Sequence, residues 1–541
     1  MRMFLRNAAD KAFTVITSAS VVVLCAVLVL ILGPMLIRGS SAVLFSGTVE
    51  FRKMQMSLFG RGNADVLQAE IEHTAQARRP VYETISTFKG AVDAGILTAR
   101  LREIHRRFND TVDSDIVGSA RFIETRSLAR ELRSRLEDAF RASDRETIDE
   151  NINAVMAHKA DLRFASEYGQ AFFQLAEEYV TGIKGINLEK RAEYAAGIAQ
   201  VEAILRNLFG PAPDQPLPSL AMEQFGATRS DQVARFLDEL LWETVWQQIE
   251  PGQPRVPIRT LRAETFAGTP MEPVFAYISD NISDMMHPRP TLYWQFFIDD
   301  SIPGRFFGGV GPEILGTLFL TIIGMVFAFP LGVISAAYLV EVGGNGPLVR
   351  IIRLCVNTLA GVPSIVFGLF GLAFFVLFLF PRLGLEPKAN MLAAGMTLAV
   401  LTLPVMIRAS EEAIRAVPPT YKEASLALGA GKFRTFVAVI FPAALPGILT
   451  GAILSISRIA GETAAVLFTG AVALGPVPRS IFEPTRTLPY GSFDMAVGDR
   501  IAMRVPHQQF GMVMTLIALV LILNGAAIVL RGRIFRKLRG H

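Results

Sequence analysis

The sequence predicts an all-α polytopic membrane protein with six transmembrane helices and a large, mainly helical insert between the first two. The composition indicates a membrane protein. Of the 541 residues, 51% are hydrophobic and only 19% are charged, and the mean hydropathy is +0.38. The apolar residues also cluster in windows of about 20 or more residues, the length that a helix needs to cross the hydrocarbon core of a bilayer.

Six charge-free windows mark the predicted spans. The first transmembrane helix is residues 12–37, and the other five follow a long polar region. The windows after that region are 314–340, 354–381, 389–407, 435–457 and 505–530. The first window is expected to be retained rather than cleaved as a signal peptide, because its apolar part is about twice the length of a signal core.

Basic residues near the ends of the spans predict the orientation, because cytoplasmic segments are enriched in Lys and Arg. Arg2, Arg6 and Lys11 lie in the N-terminal segment 1–11, and five basic residues lie in the tail 531–541. The segment 408–435, between the fourth and fifth spans, is basic as well. Both termini and this segment are therefore predicted to be cytoplasmic, as an even number of spans requires.

The polar region 38–311 is predicted to be an extracytoplasmic insert. Leu128, Leu132 and Leu136 recur every four residues with charges between them, which is typical of an amphipathic helix. Pro-rich stretches at 210–218 and 251–260 favour extended connectors. The six histidines are scattered and the two cysteines lie in apolar windows, so no metal site and no disulfide framework is predicted.

A short helix is predicted within the cytoplasmic loop 408–435. Pro418 and Pro419 break the preceding helix, Tyr421 begins a new one, and Gly429 ends it. The nearby GAGKF, residues 429–433, is not a phosphate-binding loop, because no Ser or Thr follows Lys432 and no strand precedes it.

This loop resembles the EAA loop of ABC-importer permeases. That pattern has Glu-Ala-Ala, three residues, Gly, nine residues, and Ile-x-Leu-Pro. Here Glu423, Ala424 and Ser425 are followed by Gly429 and by Val-Ile-Phe-Pro at residues 439–442, with the spacing intact. The stretches GGVGPEILGTLFLT, AGVPSIVFGLFGL and RIAGETAAVLFTG, which begin at residues 308, 360 and 458, are further similar to phosphate-specific permeases, and closer to the PstA type than to the PstC type.

The resemblance implies a MetI-like ABC permease core over residues 312–530, in a bacterial inner membrane. It implies a transport subunit that is not itself an enzyme and holds no cofactor, with ATP used by a dimeric PstB-like ATPase. Tyr421, Glu423, Ala424, Ser425 and Gly429 would dock on that ATPase. Further implied partners are a PstC-like permease, an extracytoplasmic PstS-like phosphate-binding protein and membrane lipid, but no nucleic acid.

Arg458 and Glu462 lie four residues apart within the fifth apolar region, in the stretch SISRIAGETAAVLF. If the helix proper begins near Pro446, Arg458 lies about 12 residues, or roughly 18 Å, along it. An arginine at such a depth costs about 2.5–3.5 kcal/mol on insertion scales, so it should face the bundle interior or a wet cavity. On a continuous helix, residues four apart share one face.

The resemblance assigns Arg458 and Glu462 to the phosphate pathway, together with the adjacent Thr463. The guanidinium fork fits a tetrahedral oxyanion. The carboxylate could neutralise the arginine, or accept the proton of a protonated phosphate, which sulfate lacks. Two other interpretations are a structural ion pair between helices and a helix that begins at Thr435, which would bring Arg458 only to the outer interface.

Two other functions remain open at this point. One is a permease for another oxyanion. The other is a membrane sensor or scaffold whose receptor part is the insert, although a receptor is expected to end in a signalling domain, and here only the basic tail 531–541 follows the last span.

Overall fold

The computed structural model describes residues 2–112, 119–213, 227–248, 255–302, 305–344, 346–475, 477–497 and 506–538. The chain forms two compact units. One consists of Met1–Leu44 together with Leu292–His541, and the other is Phe45–Thr291. Parts of the predicted Pro-rich connectors, 214–218 and 251–254, and the last three residues of the predicted tail lie outside the described residues.

The unit Phe45–Thr291 is mainly helical, as predicted for the insert. After helix α1 (Arg2–Ser40) of the other unit, its longer helices are α2 (Val49–Phe59), α3 (Ala64–Val92), α4 (Ala94–Thr111), α5 (Ser119–Arg141), α6 (Arg145–Met156), α7 (Glu167–Gly182), α8 (Arg191–Phe209), α9 (Ser230–Leu241) and α10 (Glu272–Met286). Strand β1 (Leu44–Gly47) pairs with β4 (Arg289–Leu292), and β2 (Trp242–Gln247) pairs with β3 (Val256–Leu261) in an antiparallel hairpin. The extended conformation expected after residue 251 is thus a strand from Val256 onward.

One apolar core holds this unit together. Leu132 and Leu136 of the predicted leucine stripe are buried in it and Leu128 packs against it, which confirms the amphipathic pattern. Phe108 stacks on Phe164 at the centre of an aromatic cluster. Side-chain caps at Asn63, Asp93, Asp144 and Ser166 satisfy the first amides of four of the helices.

A buried cluster of polar contacts connects helices α2 and α3, at the beginning of the unit, to the end of helix α10. Arg78 of α3 donates to Met285 O at 2.8 and 2.6 Å, and its Nη1 lies 3.0 Å from Glu50 Oε1 of α2. Lys53 Nζ contacts the same carboxylate oxygen at 2.9 Å. Because Glu50 and Arg78 are almost completely buried, each depends on the other for compensation of its charge.

Six helices of the described residues are long and apolar enough to cross a membrane, in the predicted number and order. They are Phe13–Ser40, Gly311–Val342, Ser364–Arg382, Met391–Arg415, Lys432–Ala460 and Pro506–Lys537. The helical elements of this part are α11 (Gly311–Ala337), α12 (Pro347–Leu359), α13 (Ser364–Gly371), α14 (Met391–Arg415), α15 (Pro419–Ala427), α16 (Phe441–Ala460), α17 (Leu488–Val497) and α18 (Pro506–Leu538), with short or π-helical turns at Tyr338–Val342, Leu372–Leu379, Phe380–Arg382, Lys432–Thr435, Phe436–Ile440 and Ala464–Leu467. The predicted fold class is confirmed.

The third span begins later than predicted. The window 354–381 joined two helices that the structure separates, since α12 ends at Leu359 and α13 begins at Ser364. Pro363 causes the break, because proline lacks an amide hydrogen and disfavours the helical conformation of the residue before it. Helix α12 is instead anchored by Arg353, which donates to Leu339 O at 3.1 Å and contacts Glu411 at 3.1 Å.

Glycines allow the spans to pack closely. A Cβ at Gly332 would lie 2.5 Å from Met406, and one at Gly371 would lie 2.0 Å from Thr397 Oγ1. These contacts join the second and third spans to the fourth. Gly371 lies in the stretch AGVPSIVFGLFGL quoted above, and close packing against the fourth span explains why a glycine stands there.

Candidate functional site: a coupling helix and a broken membrane helix

The short helix predicted in the loop 408–435 is α15. Pro419 occupies its first turn, where a missing amide hydrogen costs little. At its other end Gly429 adopts a left-handed φ of 83°. Gly429 N donates to Leu426 O at 2.9 Å and Ala430 N donates to Ser425 O at 3.2 Å, the bond pair of a Schellman motif. The glycine is therefore required by the backbone conformation, as the sequence predicted.

Two side chains attach α15 to the spans on either side of it. Lys422 Nζ lies 2.5 Å from Glu341 Oε2, at the end of the second span. Ser425 Oγ lies 3.0 Å from Thr435 Oγ1, and Thr435 is a buried residue in the first turns of the fifth span. Ser425 replaces the second alanine of the EAA pattern, so this departure from the pattern supplies a hydrogen bond between the short helix and the fifth span.

No residue of α15 is buried. Tyr421 is 53% exposed, and the neighbouring Leu428 and Phe433 are 89% and 82% exposed. Glu423 and Ala424 are exposed as well, and no ion pair to Glu423 occurs among the described residues. Large apolar side chains this exposed, next to a helix that buries none of its residues, are typical of a surface on which another protein docks.

The fifth span ends between the two charged residues of the candidate pathway. The α-helix stops at Ala460, so Arg458 lies in its last turn and Glu462 lies beyond it. The expectation that both share one face of a continuous helix is therefore wrong. Gly461 is the C-cap, and Thr463 precedes a separate short helix, Ala464–Leu467.

Glu462 caps that short helix. Its Oε1 accepts from Ala464 N at 3.2 Å and from Ala465 N at 3.4 Å. Such bonds satisfy amides that a helix start leaves unpaired. Within the part of the chain that the structure describes, no ion pair joins Glu462 to Arg458 and no protein group donates to Glu462 Oε2. The sequence-based alternative of a structural ion pair between these two residues is not what this geometry shows.

Contacts between the fifth and fourth spans fix the depth of this break. A Cβ at Gly447 would lie 2.6 Å from Ala413 Cβ, and one at Gly451 would lie 2.5 Å from Ala409 Cβ. The helices are antiparallel, so the same register brings Arg458 level with Thr402. Thr402 lies about 9 Å from Arg408 and about 18 Å from Asn390 along its helix, at 1.5 Å per residue.

The early start of the fifth helix does not change this depth. The helix begins at Lys432, three residues before the Thr435 start that one sequence-based alternative supposed. In the register above, however, its first dozen or so residues lie beyond the level of Arg415, on the side of α15. The turn that carries Arg458 is therefore level with the middle of the fourth span rather than with its outer end.

After the break, the chain returns to the beginning of the fourth span, at Asn390. Thr469 O accepts from Asn390 N at 2.9 Å, and Gly470 O accepts from Thr485 N at 2.9 Å. A Cβ at Gly368 of the third span would lie 3.0 Å from Ala464 O. Non-helical backbone at membrane depth is tolerated only where protein or a water-filled cavity surrounds it. Arg458 and Gly461 are exposed in the single chain, so that side of the break must be covered by something other than lipid.

A buried charged cluster at the other end of the second span was not predicted from the sequence. Arg486 Nη2 lies 2.6 Å from Asp300 Oδ1, and its Nη1 lies 3.7 Å from Glu313 Oε1. Arg305 donates to Gly491 O at 2.8 Å, and burial lowers the pKa of its guanidinium. The cluster fastens the loop that follows the fifth span onto the first turn of α11. In the sequence, Glu313 only marks the beginning of the charge-free window 314–340, and the pattern does not indicate which residues it contacts.

Comparison with known proteins agrees with this geometry. Residues 328–540 match the family model described as binding-protein-dependent transport system inner membrane component. The chain is 42% identical over 175 residues to the phosphate transport system permease protein PstA of Mycobacterium leprae, which covers 32% of this chain and 55% of the relative. It thus spans about half the length of that relative.

Two further relatives are matched over more of their length. The probable ABC transporter permease protein YqgI of Bacillus subtilis is 36% identical over 210 residues, 36% of this chain and 69% of the relative. PstA of Xylella fastidiosa is 30% identical over 229 residues, 42% of this chain and 77% of the relative. The chain therefore belongs to the family of binding-protein-dependent transport system inner membrane components, and within that family it is a PstA-like ABC permease.

Proposed function

We propose that this chain is the permease subunit of an ATP-driven phosphate importer. The observation that carries the proposal is the connection between the two candidate sites. The exposed coupling helix is hydrogen-bonded through Ser425 to Thr435, and Thr435 lies on the same span that ends at Arg458. A movement of the coupling helix would therefore be transmitted along one helix to the break in the membrane.

Arg458 supports an anion as the transported substrate. A guanidinium at this depth is costly unless it faces an interface or a wet cavity. Its planar donors match the oxygens of a tetrahedral oxyanion. Because Arg458 has no carboxylate partner among the described residues, its donors remain available to a substrate.

Glu462 supports phosphate over other oxyanions. Its Oε1 is held by the amides of the following turn, which orients the carboxylate and leaves Oε2 as an acceptor. Hydrogen phosphate carries a proton that Oε2 can accept, whereas sulfate does not. A binding site with an unpaired acceptor discriminates strongly against a ligand that cannot donate to it. Thr463, between the carboxylate and the short helix, belongs to the same part of the pathway.

The proposed partners follow from two exposed surfaces, helix α15 and the side of the helix break that carries Arg458 and Gly461. A PstC-like permease would cover the exposed side of the break and complete the pathway. A PstB-like ATPase dimer would bind the coupling helix and hydrolyse ATP, while this chain itself would carry no ATPase site and no cofactor. A PstS-like protein would deliver phosphate from outside. We expect the chain to lie in the bacterial inner membrane with both termini in the cytoplasm, and the insert on the other side.

Uptake of radiolabelled phosphate by cells that lack this chain tests the proposal. Rescue by the full chain, and none by Arg458→Ala at equal membrane abundance, is the expected result. Sulfate or another oxyanion taken up in place of phosphate would identify a different substrate. Unchanged uptake of every oxyanion after deletion would favour the sensor or scaffold alternative. Rescue by a chain without residues 45–291 would show whether the insert takes part in transport at all.

A further inference from the structure

Asn524 of the sixth span meets the fifth span beside Arg458. Ser457 Oγ lies 2.8 Å from Asn524 Oδ1 and 3.1 Å from Ile453 O. Asn524 stands in an otherwise apolar stretch, LIALVLILNGAAIVL, of the span Pro506–Lys537. Polar side chains in the membrane interior are found mainly where they pair with each other or serve a pathway.

A second contact fixes the register of these two spans. Arg531 Nη1 donates to Thr450 Oγ1 at 2.8 Å. Thr450 precedes Ser457 by seven residues, and Arg531 follows Asn524 by seven residues, so the antiparallel helices repeat the contact after about two turns. Asn524 is therefore level with the residue next to Arg458, and it shares the depth derived for the break.

The hydrogen bond leaves the donors of Asn524 unused. The serine hydroxyl carries one proton, which lies within reach of both Ile453 O and Asn524 Oδ1, whereas the amide nitrogen of Asn524 carries two donor hydrogens. Within the described ranges, no protein group accepts from that nitrogen, and Asn524 is only partly buried.

We infer that Asn524 is a specificity-determining residue of the anion pathway, positioned by Ser457 so that its amide hydrogens bind an oxygen of the oxyanion that Arg458 attracts. This inference rests on the proposed function. A neutral donor adds hydrogen bonds without a second positive charge, so the anion is recognised but can still leave. A carboxylate at the same position would instead repel it.

The test uses the complete importer in proteoliposomes and measures phosphate transported and ATP hydrolysed in the same sample. Asn524→Asp keeps the size of the side chain and replaces its donors by a charge, and Asn524→Ala removes the side chain. A hydrogen bond to a charged group is worth enough that its loss slows transport by about tenfold or more. In both Asn524 variants we expect phosphate transport to fall by this factor while the rate of ATP hydrolysis stays within about twofold of the wild type. The number of phosphate ions transported for each ATP hydrolysed should therefore fall.

Thr450→Val is the matched control. It removes the other polar contact between the same two helices, two turns away from the break, and should leave the ratio of phosphate to ATP unchanged. If Asn524→Asp and Asn524→Ala transport at the wild-type ratio, or lower transport and hydrolysis in parallel as Thr450→Val also does, Asn524 only joins the helices and the inference is wrong.

The failure of the proposed function looks different. If the wild-type importer moves no phosphate, or Arg458→Ala moves it normally, the anion pathway itself is misplaced and the role of Asn524 fails with it. If Arg458→Ala stops transport while both Asn524 variants match the wild type, the pathway stands and only the role of Asn524 is refuted.

Discussion

Replacement of Gly429 by alanine should loosen the end of the coupling helix. The φ of 83° at this residue is a left-handed conformation, which costs an L-residue with a Cβ about 1–2 kcal/mol. No atom lies within 4 Å of the Cβ position, so the cost is conformational rather than steric contact with neighbours. A cost of this size shifts the equilibrium toward the opened turn by a factor of roughly 5–30.

Hydrogen exchange measures that shift directly. The amide of Ala430, which donates to Ser425 O, should exchange roughly 5–30 times faster in Gly429→Ala than in the wild type. If the ordered turn is what the ATPase binds, its affinity for the permease should fall by a similar factor.

Gly431→Ala provides a control two residues away. Gly431 has an ordinary φ of −70° and also has open space at its Cβ position. Its replacement should leave both exchange and ATPase binding unchanged. Equal effects of the two substitutions, or none from Gly429→Ala, would refute the assignment of Gly429 as a conformational requirement of the docking helix.

Three further predictions concern the insert and the pathway. Arg78→Ala should lower the free energy of unfolding of the insert by about 3 kcal/mol, because Glu50 then keeps only Lys53 as a buried partner and Met285 O loses both of its donors from Arg78. Arg100→Ala, which breaks an exposed pair with Glu178, should cost less than about 1 kcal/mol in the same denaturation experiment. Burial, together with the nearby Arg133 and Arg130, lowers the pKa of His105 below its usual 6.5, so the folded state favours the neutral ring. The contribution of His105 to stability should therefore be complete above about pH 6.5 and should decline as the pH falls below that value. Thermal unfolding between pH 7.5 and 5.5 should show a shallower loss of stability in His105→Gln than in the wild type. Glu462→Gln should allow sulfate to compete with phosphate for uptake, because the amide can donate to an anion that carries no proton; unchanged selectivity would count against Glu462 as the discriminating acceptor.

The apolar windows predicted the spans well because membrane thickness constrains length and composition directly. The end of the fifth helix could not be found in this way, since a window of uncharged residues contains no information about where helical hydrogen bonds stop. Gly461 at the C-cap, followed by Glu462, whose carboxylate accepts from the first amides of the next helix, was the signal available in the sequence. Pro363 was the corresponding signal for the late start of the third span.

The coupling helix was predicted almost completely, because proline and glycine fix its ends through local backbone geometry. In the sequence, Ser425 is only a departure from the EAA pattern, whereas its hydrogen bond to Thr435 depends on how α15 packs against the fifth span. Asn524 and Ser457 lie 67 residues apart in the sequence, and Arg486 is still farther along the chain from Arg305 and Glu313. Contacts of this kind depend on the packing of whole helices, which periodicity in one segment does not determine.

Phosphate uptake by Arg458→Ala tests the central claim most directly. The variant should assemble with its partners and insert in the membrane in normal amounts, yet lose phosphate transport. Arg408→Ala, which removes an exposed arginine from the neighbouring span and leaves the helix break intact, should transport phosphate like the wild type. Wild-type transport by a normally assembled Arg458→Ala variant would contradict an anion pathway at the break in the fifth helix.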